Sequence, residues 1–142
     1  MSGIIGGAGS KSGIIGQTEI DYEEGEWTVS GTYISAPSGN AARYTRIGNL
    51  CTISFYGVLS GGSNVDLYFA GLPFSNHANR QGAGSVMLRN ASQHFDGTPA
   101  LFIASGTTVY IRRSGRSDEG NNAANYVDSG TSIWVSLTYQ IA

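Results

Sequence analysis

The sequence predicts an all-β fold, and three observations support this. Charged residues make up only 13% of the chain, whereas apolar residues make up 40% and glycine occupies 21 of 142 positions; an average globular protein is roughly 25% charged. Apolar and polar residues alternate along several stretches, with the period of a β-strand. Clusters of Gly, Ser, Asn and Pro separate these stretches, as turns do. We therefore expect about eight antiparallel strands in a jelly-roll-like β-sandwich, with a barrel as the alternative closure.

The clearest strand pair lies within residues 43–59. Cys51, Ile53 and Phe55 fall on one face of this segment, and the residues between them are polar or amphipathic. Gly48–Asn49 interrupts the alternation with two residues that tolerate a positive φ. The sequence therefore predicts a tight hairpin at this point, with the apolar face turned to the core.

The remaining strands are predicted by the same alternation, with a second hairpin at Ser105–Gly106. They are Glu26–Ile34, Val65–Leu72, Ser85–Asn90, Ala100–Ser105, Thr107–Arg113 and Ser132–Ile141. The apolar residues that share the inward phase form the predicted core: Trp27, Val29, Ile47, Cys51, Ile53, Phe55, Leu59, Leu67, Phe69, Leu72, Val86, Leu88, Leu101, Ile103, Val109, Ile111, Ile133, Val135 and Leu137.

Charge and cysteine content narrow the possible partners. The net charge is −2 and the pI is about 5.5, so we expect no nucleic-acid partner, because phosphate binding requires a basic surface. Cys51 is the only cysteine, which excludes an intramolecular disulfide and favours a buried core residue. The first twenty residues lack the apolar run of a secretory signal, and no stretch has the ~20 apolar residues of a membrane helix. We expect synthesis in the cytoplasm and no membrane insertion.

An acidic cluster stands at the beginning of the first predicted strand and consists of Asp21, Glu23, Glu24 and Glu26. Carboxylates in such numbers suit a calcium site or an acid–base pair, but the spacing of a calcium loop is missing. We interpret the cluster as a solvated lead-in to the strand. His77 and His94 have no metal-ligand spacing, and "GAGSKS" lacks the glycines of a phosphate-binding loop. We therefore expect no catalytic residue, metal ion or cofactor.

Three stretches in order carry a resemblance to a known family: "DYEEGEWT" at 21–28, "YTRIGNLCTISF" at 44–55 and "GLPF" at 71–74, followed by the closing "SLTYQIA" at 136–142. Together they resemble the C-terminal β-domain of tail fibre proteins from tailed bacteriophages of marine and fresh water. Glu26 departs from the family pattern, which usually has Thr there. The resemblance implies a virion protein that attaches to the host and assembles as a homotrimer.

The sequence "SGIIG" occurs twice within residues 1–16, ahead of the β-domain that we assign to residues 21–142. We interpret residues 1–20 as an anchoring arm, because a glycine-rich segment gains order only by burying apolar side chains against a partner. The expected docking residues are Ile4, Ile5, Ile14 and Ile15, placed against other virion proteins of the baseplate, tail or capsid, or against copies of the same chain.

The longest turn-rich segment, residues 114–130, exceeds the length of an ordinary connection in a small domain. We expect the distal loops to bind host-surface glycans through aromatic and planar polar side chains. The candidate residues are His77, Arg80, Arg116, Asp118, Asn121 and Tyr126.

Three functions follow as hypotheses. The first is a non-enzymatic short tail fibre that recognises host glycans. The second is a capsid decoration or head-fibre protein that uses the same arm to hold neighbouring capsid subunits. The third is a polysaccharide depolymerase, which would require a carboxylate such as Asp21 or Glu23 for catalysis.

Overall fold

The structure is a computed structural model that describes residues 21–31, 33–37, 39, 41–60, 67–78, 82–91, 98–103, 106–114 and 129–142, leaving out the side chains at 98, 113 and 114. Within these ranges the chain forms nine strands and no helix, so no membrane-spanning helix occurs among them. The strands are β1 (Tyr22–Trp27), β2 (Ile34–Ser35), β3 (Ala42–Ile47), β4 (Leu50–Leu59), β5 (Tyr68–Ala70), β6 (Ala83–Arg89), β7 (Thr98–Ile103), β8 (Thr108–Ser114) and β9 (Ser132–Gln140).

All strand pairs are antiparallel, which confirms the predicted fold class. The strands are hydrogen-bonded into one sheet in the order β1-β3-β4-β9-β6-β7-β8-β5, and β2 adds to β4. Strand β9 lies between β4 and β6 and pairs with both along most of its length. The last strand of the chain therefore occupies the centre of the sheet.

The sheet curls until its two ends meet. Phe69, in the terminal strand β5, packs edge-on against Phe55 of β4 with ring centroids 4.8 Å apart, and Trp27 of β1 lies 6.3 Å from the same Phe69 ring. Ser30 and Ala70 exchange backbone hydrogen bonds of 3.0 and 2.6 Å. The two layers expected of a sandwich are thus the two halves of one continuous curled sheet, which face each other across the core.

Both predicted hairpins lie at positions that need a left-handed backbone. Gly48 has φ of 59° in the turn that joins β3 to β4, and Gly106 has φ of 70° between β7 and β8. Glycine adopts such angles at no steric cost. The pairing of Ile47 with Leu50 leaves Gly48 and Asn49 as the turn, which confirms the first hairpin.

The core fills the inner face of the curled sheet. Its buried residues are Ile34, Ala42, Cys51, Ile53, Phe55, Leu59, Leu67, Phe69, Leu72, Leu101, Ile103, Val109, Ile111, Ile133, Val135, Leu137, Tyr139 and Ile141. Four further predicted members, Trp27, Val29, Val86 and Leu88, are partly buried against this cluster. The prediction for Cys51 is confirmed, since it is fully buried.

The prediction that Ile47 lies in the core is wrong, because 51% of this residue is exposed. Strand β3 turns Ala42 inward, and alternation then carries Ile47, five residues later, to the outer face. On the inner side the neighbouring position is taken by Arg46, whose guanidinium carbon lies 5.2 Å from the centre of the Phe74 ring. An arginine stem and an aromatic ring thus cover this end of the core.

The first strand also begins earlier than predicted. Strand β1 spans Tyr22–Trp27 and pairs with β3 along its whole length, so most of the acidic cluster lies inside the strand and does not lead into it. Glu23 is half-buried on the inner side, whereas Glu24 and Glu26 are exposed. The residues of the acidic cluster therefore lie at one border of the sheet.

Candidate functional site

The outer face of the sheet carries a row of three large side chains across its central strands. Trp134 of β9 pairs directly with Tyr56 of β4 on one side and with Met87 of β6 on the other. The rings of Tyr56 and Trp134 lie 5.0 Å apart, tilted by 43°, and Met87 is 56% exposed. We call Tyr56, Trp134 and Met87 the aromatic row.

Strand alternation explains why these residues face outward. Ile133 and Val135 flank Trp134 in β9, and both are buried. Because successive side chains of a strand point to opposite faces, Trp134 must point away from the core when its two neighbours point into it. The same rule turns Tyr56 outward beside the buried Phe55.

Hydroxyl groups surround the aromatic row. The Tyr56 hydroxyl lies 3.3 Å from that of Ser132, and the hydroxyls of Thr52 and Thr138 share a hydrogen bond of 2.8 Å farther along the same two strands. Between these pairs, Ser54 and Ser85 both stand opposite Ser136. A depression of about 360 Å³ opens here, lined by residues 85–87 and 134–136.

This arrangement suits a ligand that is apolar on one face and hydroxylated at its edges. Aromatic rings offer a flat apolar surface with little conformational entropy to lose. Serine and threonine hydroxyls donate and accept hydrogen bonds with equal ease. A sugar ring has this composition, because its C–H groups form an apolar face and its hydroxyls project from the rim.

A second polar cluster lies at the β1 border and is centred on Arg46. Its guanidinium approaches Asp21 at 2.7 Å and Glu23 at 3.5 Å, and its Nε donates to the Gly48 carbonyl at 2.9 Å. The Tyr44 hydroxyl donates to Glu23 at 2.6 Å, and this hydrogen bond to a carboxylate raises the pKa of Tyr44. The charged groups of this cluster are paired with one another, and their contacts join β1 to the β3–β4 hairpin.

The other perturbed groups belong to the core. Burial raises the pKa of the Cys51 thiol, and burial together with a hydrogen bond to Cys51 raises the pKa of Tyr139. The Tyr139 hydroxyl donates to the Phe74 carbonyl at 2.9 Å. Both groups therefore remain protonated at neutral pH and pack as structural residues.

A larger groove, of about 570 Å³, runs beside the end of β1 and is lined by residues 26–31, 34–36 and 41–42. Glu26 is its charged member, and it forms an ion pair of 3.2 Å with Arg43. Much of the remaining lining consists of small residues and backbone. Its one aromatic residue, Trp27, packs against the core rings of Phe55 and Phe69.

The acidic cluster has ordinary ion-pair roles in the structure. Asp21 and Glu23 contact Arg46, and Glu26 contacts Arg43. Within the described ranges, no three histidine, cysteine or acidic side chains come together as metal ligands would.

Of the predicted glycan-binding residues, His77 is the one that the structure describes. It follows β5, and its backbone N–H donates to the Gln140 carbonyl at 2.8 Å. Gln140 is six residues from Trp134 along β9, about 20 Å at 3.3 Å per residue, so His77 is remote from the aromatic row. The other predicted site residues lie outside the described residues: Ile4, Ile5, Ile14, Ile15, Arg80, Arg116, Asp118, Asn121 and Tyr126.

The aromatic row was not among the residues predicted to bind, although the sequence contains part of the signal. A tryptophan between two inward-facing aliphatic residues must face solvent. Its neighbours Tyr56 and Met87 come from strands that are distant in sequence, and their position beside it depends on the sheet register.

Comparison with protein-family models, with curated proteins and with solved structures finds no match for this chain.

Proposed function

We propose that this chain is a non-enzymatic phage virion protein, a short tail fibre whose β-domain binds host-surface glycans on the outer face of its sheet. The observation that carries the binding part is the aromatic row, framed by serine and threonine hydroxyls. The virion part rests on the resemblance of the motifs at 21–28, 44–55 and 71–74 to tail fibre domains.

A sugar ring stacked on Trp134 removes apolar surface of both partners from water. If stacking buries on the order of 100 Å² of apolar area, it contributes about 2.5 kcal/mol at about 25 cal/mol per Å². Hydrogen bonds to Ser132 and Ser136 add to this, and the loss of translational freedom opposes it. A single site of this kind binds with a dissociation constant of about 1 mM, equivalent to about 4 kcal/mol.

Because a single site binds weakly, an oligomer with several sites would bind the cell surface more tightly. In this proposal the chain is a homotrimer, and residues 1–16 anchor it to other virion proteins through Ile4, Ile5, Ile14 and Ile15. Three copies on one fibre, and several fibres on one particle, raise the effective affinity by a factor of about 10² to 10⁴ without any new contact. Attachment then depends on repeated sugar units on the cell surface.

The test compares binding of the purified full-length chain to polysaccharide extracted from host cells, before and after Trp134→Ala. We expect at least a tenfold loss of binding, because the substitution removes the central ring of the row. Tyr22→Ala is the control: Tyr22 is an aromatic residue of the outer face, 59% exposed, but it stands on β1 at the sheet border, away from the half-buried Trp134. Circular dichroism of both variants confirms that the fold is retained.

Two results would contradict the proposal. Glycan binding by Trp134→Ala at the wild-type level would show that the aromatic row does not hold the sugar. Dissociation of an oligomer by Trp134→Ala, with glycan binding unchanged, would make the row a subunit interface and favour the capsid-decoration hypothesis.

A further inference from the structure

Resting on the proposed function, we propose that the outer face selects acidic glycans and that Arg89 is the residue that binds their carboxylate. The ligand class is a polysaccharide with carboxylate-bearing sugar units. Two observations support this: Arg89 lies beside the aromatic row, and the acidic side chains of the described residues lie at the β1 border of the sheet.

Arg89 lies next to Trp134 on the same face. It stands opposite Ser132 in the pairing of β6 with β9, two residues beyond Met87, and it is exposed. Arg89 and Trp134 are therefore diagonal neighbours, which typically lie about 7–8 Å apart, within reach of a long side chain. A sugar stacked on Trp134 presents its rim to the guanidinium of Arg89.

The carboxylates of the described residues lie elsewhere. They belong to Asp21 and to three glutamates of β1, at the border of the sheet. The ion pairs formed there use Arg43 and Arg46, and none of these pairs includes Arg89. Strands β4, β9 and β6, which form the face around the row, contain no acidic residue.

A second positive charge lies on the same side of the face. Arg112 of β8 is held over the Tyr110 ring, with its guanidinium carbon 4.8 Å from the ring centre. In register it lines up with Ala100 of β7 and, through it, with Ser85 of β6. Among the described residues, Arg89 and Arg112 thus lie on the β6–β8 side of the sheet and the acidic side chains lie at β1, in a chain whose net charge is −2.

The chemistry of guanidinium favours a carboxylate partner. Its planar donors match the two oxygens of a carboxylate, and charge-assisted hydrogen bonds are roughly twice as strong as neutral ones. The Tyr56–Ser132 hydroxyl pair lies beside Arg89 and can bind the neighbouring hydroxyls of the same sugar. Stacking then supplies the general affinity for sugar rings, and Arg89 supplies the preference for acidic ones.

The experiment uses two probes: polygalacturonate, and the same polymer with its carboxylates converted to uncharged methyl esters. We expect the full-length wild-type chain to bind the acidic polymer at least tenfold more tightly, with the difference lost at high salt because screening weakens exposed charge pairs. Arg89→Gln should lower binding of the acidic polymer to the level of the ester and leave ester binding unchanged. Arg43→Gln, a substitution of another exposed arginine on the outer face, is the matched control.

The two proposals fail in different ways. If Arg89→Gln keeps the wild-type preference while Trp134→Ala weakens both polymers, glycan binding stands and the role of Arg89 is overturned. Equal wild-type binding of the two polymers, or no binding of the acidic one, also overturns the acidic selectivity. If the wild-type chain binds the polymers and Trp134→Ala alters the binding of neither, the proposed function fails together with this inference.

Discussion

The closure of the sheet predicts that Phe55 and Phe69 stabilise each other directly. Phe55 belongs to β4 in one half of the sheet, and Phe69 belongs to β5 at its far end. Their rings meet edge to face at 4.8 Å, and Phe69 is 0% exposed. Removal of either ring should therefore weaken the contact between the two halves of the sheet.

The magnitude follows from burial and ring geometry. Full burial of a phenylalanine side chain contributes about 1.5–3 kcal/mol. Phe69 also forms aromatic pairs with Phe55 and Trp27, each worth about 0.5–1.5 kcal/mol beyond the buried area. We expect Phe69→Ala to lower the free energy of unfolding by about 4 kcal/mol, a large part of the roughly 5–15 kcal/mol of a typical domain.

The assay is urea denaturation followed by circular dichroism, for a double-mutant cycle of Phe55→Leu and Phe69→Leu. Leucine keeps most of the volume, so the variants retain enough stability for measurement. The two substitutions together should cost less than the sum of the single losses by about 0.5–1.5 kcal/mol, the value of one aromatic pair. Met87→Ala, on the outer face, should change stability by less than about 0.5 kcal/mol.

Strict additivity within about 0.3 kcal/mol would refute the reasoning, because residues that do not touch show no coupling. A loss below about 1 kcal/mol for Phe69→Ala would have the same meaning. Strand β5 would then not pack against β4.

Three further predictions concern Gly84 and the buried groups that titrate at alkaline pH. Gly84→Ala should destabilise the fold by about 1–3 kcal/mol in thermal unfolding, since the added Cβ would lie 2.6 Å from the Ser136 carbonyl oxygen. The control is Ser85→Ala, one position along on the exposed face, which should have little effect on stability. Equal losses for the two variants would contradict the close packing of β6 on β9. Stability should fall as the pH rises above about 9, because burial raises the pKa of Cys51 above its ordinary value of 9.0 and that of Tyr139 above its ordinary value of 10.0, so the unfolded chain loses these protons first. Tyr139→Phe should lower stability at neutral pH by about 1–2 kcal/mol, because the hydrogen bond to Phe74 is lost. The same substitution should make the loss of stability at alkaline pH shallower. An unchanged loss would show that Tyr139 does not contribute to it.

Local features of the fold could be predicted from the sequence. The β3–β4 hairpin depends on Gly48, whose backbone angle is a property of a single turn. The inward phase of Ile53 follows from alternation within one strand. Such features need no knowledge of distant residues, and the structure confirms them.

Features that depend on long-range pairing could not be predicted in the same way. Alternation identifies β9 as a strand, but nothing in its residues says that it lies between β4 and β6. The prediction for Ile47 failed for a related reason. Its apolar side chain suggested a core position, but the alternation of β3 turns it to the outer face. At that end of β3, the contact of Arg46 with Phe74 covers the core instead.

The candidate site shows the same division. Trp134 between Ile133 and Val135 indicates an outward-facing aromatic residue from sequence alone. Tyr56 and Met87 lie beside Trp134 because β9 pairs with β4 and β6. These two residues are 78 and 47 positions away from Trp134 in the sequence. A surface assembled from three strands becomes visible only when the register is known.

The central position of β9 has a consequence for biosynthesis. Strands β1, β3 and β4 form one half of the sheet and β6, β7, β8 and β5 form the other, and the hydrogen-bonded path between the halves passes through β9. Because the ribosome makes this strand after the other eight, neither half can complete its hydrogen bonds during most of translation. We expect the nascent chain to expose the open edges of β4 and β6 until residues 132–140 emerge, a state in which unpaired strands invite association between chains. Insertion of β9 then closes both edges in a single late step, so folding should be slow, as is usual for sheets with distant pairings.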